Sequence, residues 1–345
     1  MASPSTTPSV MNFVHDEAAF RAKTPFQLTP TNLKGAYATP APPETFDPKT
    51  ASATDLIKNG LMFRRPGAAD PPELHAAWDK FFSRQWLAKD RIVPESHPQL
   101  GVTHIYRGAP PKQETDTTYT GQVWAGAGTK TGKWTSALGY WKIPSVSVPP
   151  EAQGNEGGWN SSSWVGLDGF FYSNDVLQAG IQQKVIKLPF FNVGIPIYVA
   201  WYEWFAPPQS NSPGYIYQTN IANFSVSPGD EVYCSVQYNG TSSGSISFAN
   251  DRTGQHFSIT LAPPPGANFN GQSCEWIMEA PDGGEPTSSL PKFTPVTFTS
   301  AIACGPNGAV ANPKSGDIMN IATTGGKKLT STTVGTDTCT ISFIG

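Results

Sequence analysis

Val232-Tyr-Cys-Ser-Val-Gln-Tyr238 is followed by Ser245-Ile-Ser-Phe-Ala249 and His256-Phe-Ser-Ile-Thr-Leu261, the last two joined through Asn250-Asp-Arg-Thr-Gly254. Each run is short, mixes apolar with polar residues in near alternation, and is rich in β-branched and aromatic side chains, which is what a half-buried strand requires. The Asn-Asp-Arg-Thr-Gly link supplies the residues that a hairpin loop prefers. Runs of this kind, separated by Gly, Pro, Asn and Ser, recur from about Thr117 onward. That spacing predicts an antiparallel sandwich or barrel, not a parallel α/β sheet. No repeat of fixed period interrupts the pattern.

Residues 1 to about 115 read differently. They are Pro-rich and hold most of the predicted helix. Ala53-Thr-Asp-Leu-Ile-Lys-Asn-Gly60 ends on a glycine suited to a helix C-terminus, and a second helix is expected after Pro71-Pro72. There Leu74, Trp78, Phe81, Phe82 and Trp86 recur at intervals of three and four, so one apolar face has to pack on something. The chain is therefore divided into an N-terminal extension or prosegment (1–115) and a β-sandwich domain (116–345). Four of the five histidines, His15, His75, His97 and His104, lie in the extension. They read as surface or ordinary core residues.

Composition narrows the function. Charged residues are 14% of the 345, Gly and Pro number 33 each, and the formal charge is −3; an average domain is about 25% charged. No Lys/Arg cluster follows a phosphate backbone, so nucleic acid is excluded as a partner. No window approaches the roughly 18 to 20 apolar residues of a membrane span, and none is expected. The opening Met1-Ala-Ser-Pro-Ser lacks the basic and apolar regions of a secretory signal. Cys234, Cys274, Cys304 and Cys339 show neither CxxC nor a histidine at ligand spacing, so no metal site is expected. Two disulfides in any of three pairings, or buried free thiols, fit equally.

Three strand-like segments carry more polar and aromatic residues than a plain sandwich needs. In Val176-Leu-Gln-Ala-Gly-Ile-Gln182, alternation puts Leu177, Ala179 and Ile181 on one face and Gln178, Gly180 and Gln182 on the other. Ile197-Tyr-Val-Ala-Trp-Tyr-Glu-Trp-Phe205 is apolar on both faces except at Glu203, a carboxylate that needs partners. In Cys274-Glu-Trp-Ile-Met-Glu279, Glu275, Ile277 and Glu279 share a face, and from the residues alone the two glutamates have similar weight.

Taken with Val123-Trp-Ala-Gly126, Tyr140-Trp-Lys-Ile-Pro144 and Ser163-Trp-Val-Gly-Leu-Asp-Gly169, these segments resemble the glutamic peptidase (eqolisin) family over about residues 119 to 303. The resemblance implies two seven-stranded antiparallel sheets in a concanavalin-like sandwich, a groove across one face, and an acid endopeptidase needing no cofactor. It matches Gln178 and Glu275 to the catalytic pair. Asp168 and Glu203 match acidic residues beside that pair, Trp124 and Trp164 match groove aromatics, and Glu279 matches no catalytic position. Glu275 is then the general base and Gln178 the oxyanion donor. Protein or peptide substrates and a monomer are expected, and secretion is usual in the family. Two other readings compete: a two-carboxylate glycoside hydrolase using Glu203 and Glu275, and a carbohydrate-binding sandwich. Gly240-Thr-Ser-Ser-Gly244 matches GxSxG formally, but no helix is expected after it.

Overall fold

The computed structural model describes residues 16–24, 26–99, 102, 104, 111–150, 158–170, 175–187, 194–206, 216–281 and 290–345. Two large, mostly antiparallel sheets face each other across one apolar core. The back sheet runs in the order Thr29–Pro30, Ala36–Ala38, His256–Leu261, Ser243–Asn250, Glu231–Asn239, Ser136–Lys142, Val296–Cys304, Cys339–Phe343 and Thr330–Val334, with Val310–Ala311 paired alongside. The front sheet runs Ser96–Pro98, Ile216–Ile221, Gly194–Phe205, Val176–Lys187, Trp159–Leu167, Cys274–Glu279, Trp124–Gly128, Asp317–Ile321, Thr118–Gly121 and Lys112–Thr115. Among the described residues each sheet has ten strands where seven were expected. The extension accounts for part of the excess, because two of its strands prolong one edge of the back sheet and one caps each edge of the front sheet.

Alternation distributes the front strands as their sequences require. Leu177, Ala179 and Ile181 join Val165, Leu167, Ala200, Tyr202, Trp204, Cys274, Trp276 and Met278 in the core between the sheets. The residues between them point to the other side. There Trp124, Trp164, Trp201, Phe170, Ile277 and Met319 form a separate apolar cluster on the outer face. All four cysteines are buried free thiols.

Both predicted helices form. The shorter, Ala53–Lys58, is capped by the Ser52 side chain, which accepts from the Asp55 amide, and Gly60 follows at a φ of 67°. The longer, Pro72–Ser83, starts with proline in its first turn, where the missing N–H costs nothing, and Glu73 faces the positive end of the helix dipole. Leu74, Trp78, Phe81 and Phe82 are buried against Leu138, Tyr140, Tyr233, Ala249 and Ile302 of the back sheet's outer face. Phe81 meets Tyr233 at a ring separation of 4.8 Å, and Trp86, just past the helix, tilts onto Phe81 at 4.5 Å. Removing each such side chain from water contributes roughly 1.5–3 kcal/mol. The stripe thus covers the sheet opposite to the groove face.

The extension then turns to the front. Ser96–Pro98 pairs with Thr219–Ile221 at one edge of the front sheet. The Gln99 amide donates to the Gln218 carbonyl and the Gln218 amide to the Val102 carbonyl. His104 lies over the outer face of the sheet, and Lys112–Thr115 pairs at the opposite edge.

Candidate active site

Strand register assembles the site in rows. Glu275 and Gln178 both sit opposite Gly166, on either side of the Trp159–Leu167 strand, and Gln178 in turn sits opposite Glu203. With strands about 4.8 Å apart, the backbones of Glu275 and Gln178 lie roughly 10 Å from each other. Gly166 makes room for the Trp164 ring and the Glu275 carboxyl, since a Cβ there would fall 2.8 Å from the one and 3.2 Å from Glu275 Oε2. The next row holds Ile277, Trp164, Gly180 and Trp201, and the third holds Trp124, Glu279, Ser162 and Gln182. Gln178, Glu203, Glu275 and Glu279 are all buried.

Gln178 is held by its amide nitrogen. Nε2 donates to Glu203 Oε2 at 2.9 Å and to the backbone carbonyl of His104 at 2.6 Å. Glu203 Oε2 also accepts the His104 backbone N–H at 2.7 Å. Burial raises the Glu203 pKa to about 8 against the opposing pull of His104. Glu275 accepts from Ser273 Oγ through Oε1. Burial pushes its pKa well above the usual carboxylate range, the Ser273 hydrogen bond opposes that, and the Asp168 charge adds to it. Glu275 in this environment is therefore harder to ionise than a solvated carboxylate. Gln178 Oε1, Glu203 Oε1, Glu275 Oε2 and Glu279 Oε1 have no hydrogen-bond partner among the described residues.

Asp168 does not touch Gln178. It sits at a φ of 66° and accepts from the amides of Gly271 and Gln272 and from Tyr238 Oη. Its work is to fix the loop that delivers Ser273 to Glu275. Burial raises its pKa against those three donors. Trp164 is buried, meets Trp124 edge-to-face at 5.1 Å, and donates through Nε1 to Glu279 Oε2 at 2.8 Å. Both tryptophans belong to the buried apolar cluster on this face of the sheet.

The structure brings all six sequence-predicted site residues, Trp124, Trp164, Asp168, Gln178, Glu203 and Glu275, to this face or its border. Glu279, on the face it shares with Glu275, accepts from Trp164 Nε1 and meets His104 Nδ1 through the same Oε2. His104, which the sequence offered no reason to single out, is buried over the Gln178–Glu203 row, with Nδ1 2.9 Å from Glu279 Oε2 and Nε2 2.6 Å from Gln218 Oε1. His75 and His97 are exposed, and His15 lies outside the described residues. Among the described residues no group of three His, Cys, Asp or Glu is placed to hold a metal ion, and no helix is long and apolar enough to cross a membrane.

A β-sandwich with a glutamine and a glutamate flanking a glycine on its grooved face has the constitution of a glutamic peptidase, a hydrolase of peptide bonds. The chain belongs to the Peptidase A4 family, whose profile matches residues 122–343. It is 30% identical over 238 residues to aspergillopepsin-2 of Aspergillus niger, covering 64% of this chain and 77% of that protein. Its fold is similar to that of scytalido-glutamic peptidase crystallised with a transition state analog inhibitor (TM-score 0.52) and with a peptide based transition state analog (TM-score 0.51). Both matches are 21% identical and cover 65% of this chain and 98% of the other. Family membership decides against the glycoside hydrolase and the carbohydrate-binding sandwich.

Proposed function

We propose that this protein is an acid endopeptidase whose Gln178 and Glu275 act on one transition state, and that residues 1 to about 115 are its prosegment. The observation that carries both parts is the 2.6 Å hydrogen bond from Gln178 Nε2 to the His104 carbonyl. A primary amide that already grips a peptide carbonyl is aimed where an oxyanion develops, and it donates without titrating. Glu203 holds the second N–H of the same nitrogen, which fixes the direction of the first. Glu275, once the groove is hydrated, returns toward the reference carboxylate pKa of about 4.3 and takes a proton from water as that water attacks the scissile carbon. The protonated Glu275 then gives its proton to the departing amine, and the acid and amine products leave. In the folded chain the His104 carbonyl holds the donor of Gln178, so the extension fills the place of a substrate carbonyl there.

Digestion of denatured casein by the full chain at about pH 3 to 4, where a solvated carboxylate is partly charged, tests the reading. Pepstatin-resistant fragments and loss of an N-terminal piece in mass spectra are expected for the wild type, and neither for Glu275→Gln. Absence of cleavage at any acid pH contradicts the peptidase reading. A chain that stays full-length while fully active contradicts the prosegment.

A further inference from the structure

The contacts of His104 describe a side-chain pocket beside Gln178. Its imidazole lies flat on Trp201, with ring centres 3.9 Å apart and planes at 10°. Trp201 and Trp164 both sit opposite Gly180, where a Cβ would fall 2.5 Å from Trp164 Cβ, so glycine lets this row pack closely. One ring nitrogen faces Glu279 Oε2 and the other faces Gln218 Oε1. The orientation of Gln218 is not free. Its Nε2 donates to Asn220 Oδ1 at 2.7 Å and to Gln182 Oε1 at 3.2 Å, so its oxygen is the atom turned to the ring. Glu279 is likewise set, because Oε2 already accepts from Trp164 Nε1.

Both ring nitrogens therefore meet acceptors, and only the protonated imidazole donates from both. Burial alone lowers the His104 pKa, but Glu279, Glu203 and the Gln218 contact outweigh it and hold the ring above the usual histidine value. An apolar side chain in the same place leaves a buried carboxylate and a buried amide oxygen without donors, which is costly. The face of Trp201 adds the attraction of an aromatic ring for a cation. Glu279 Oε1, buried and without a partner among the described residues, is a further acceptor for a cation longer than imidazolium.

We infer that Glu279, Gln218 and Trp201 form a specificity pocket for a cationic side chain, histidine first and arginine or lysine after it, on the substrate residue whose carbonyl Gln178 holds. This rests on the assignment of Gln178 to the scissile carbonyl, and it makes the enzyme one that cuts after histidine. The His104 segment then occupies the groove as a preferred substrate residue does.

Two measurements on the full chain decide it. Peptides differing only in His, Arg, Leu or Glu before the scissile bond, assayed at about pH 5 where imidazole is charged, should show kcat/KM for His about tenfold to a hundredfold above Leu, the size expected of charge-assisted hydrogen bonds. Glu279→Gln should bring the His to Leu ratio close to one. Equal cutting after His and Leu, or a ratio unchanged in Glu279→Gln, overturns the pocket. The second measurement needs no turnover: NMR titration of the His104 imidazole should give a value above the ordinary histidine pKa of about 6.5 that falls in Glu279→Gln. A wild-type value at or below that reference also overturns the pocket. If none of the peptides is cut, the Gln178 assignment fails and the titration alone decides the pocket.

Discussion

The two outer faces of the sandwich are covered by one stretch of chain in two chemically different ways. On the back sheet the extension lays down an aromatic helix face, Leu74, Trp78, Phe81 and Phe82, against Leu138, Tyr140, Tyr233 and Ile302. On the front sheet, among the described residues, it sets a single histidine among Glu203, Glu279, Gln178 and Gln218. The first contact is mainly apolar, with the Lys80–Glu231 and Arg84–Asp251 ion pairs at its margin. The second consists of hydrogen bonds, an ion pair to Glu279 and the stacking of His104 on Trp201.

Phe81→Ala is the harshest test of the contrast. A buried phenylalanine cut back to alanine typically costs about 3–5 kcal/mol, and the urea midpoint should fall accordingly at pH 4 and at pH 7 alike. His104→Ala should shift the midpoint by less than Phe81→Ala and should raise peptidase activity at mildly acid pH, because it vacates the groove. A chain more damaged by His104→Ala than by Phe81→Ala would reverse the comparison.

The pH dependence of stability comes next. Glu203 and Asp175 are raised to about 8 and about 7, in both cases by burial first, the latter beneath Trp204 and the Asn268 amide. Each therefore keeps a proton in the folded chain that the unfolded chain has released. Their stabilisation is complete below the ordinary carboxylate range of about 4 and is lost as pH rises through 7 and then 8. Moving a pKa by one pH unit on folding is equivalent to about 1.4 kcal/mol, so shifts of roughly three units make each group's share several kcal/mol. The melting temperature should drop between pH 5 and 8.5, and Glu203→Gln should flatten the upper part of that drop. A melting temperature that rises over the same range contradicts the burial of these groups as protonated acids.

Ser273→Ala is the mildest. It removes the hydrogen bond that opposes the upward push on Glu275, worth about 1 kcal/mol. The acid limb of the kcat/KM profile should move to higher pH by less than about one pH unit. Movement to lower pH would mean that Ser273 does not stabilise the carboxylate.

Much of this was legible in the residues. The alternation in Val176–Gln182 and Cys274–Glu279 put Gln178 and Glu275 on polar faces, and those faces turned out to be the same side of one sheet. The helix stripe was equally plain, but not which sheet it would cover, since both outer faces are lined with aromatics. His104 was illegible: it belongs to no periodic element, and its partners lie 74 to 175 residues away. The true weight of Glu279 was open in the strand pattern and was set aside only because the family resemblance gave it no chemistry.

Whether Gln178 and Glu275 serve one transition state is tested most directly by kcat/KM for Gln178→Ala, Glu275→Gln and the double variant, measured on the same peptide at about pH 4 with folding checked by circular dichroism. Each single change should cost about a hundredfold to a thousandfold, and the double variant should be little worse than the more damaged single. Losses that multiply in the double variant, or single variants that keep near wild-type activity, would contradict a shared transition state.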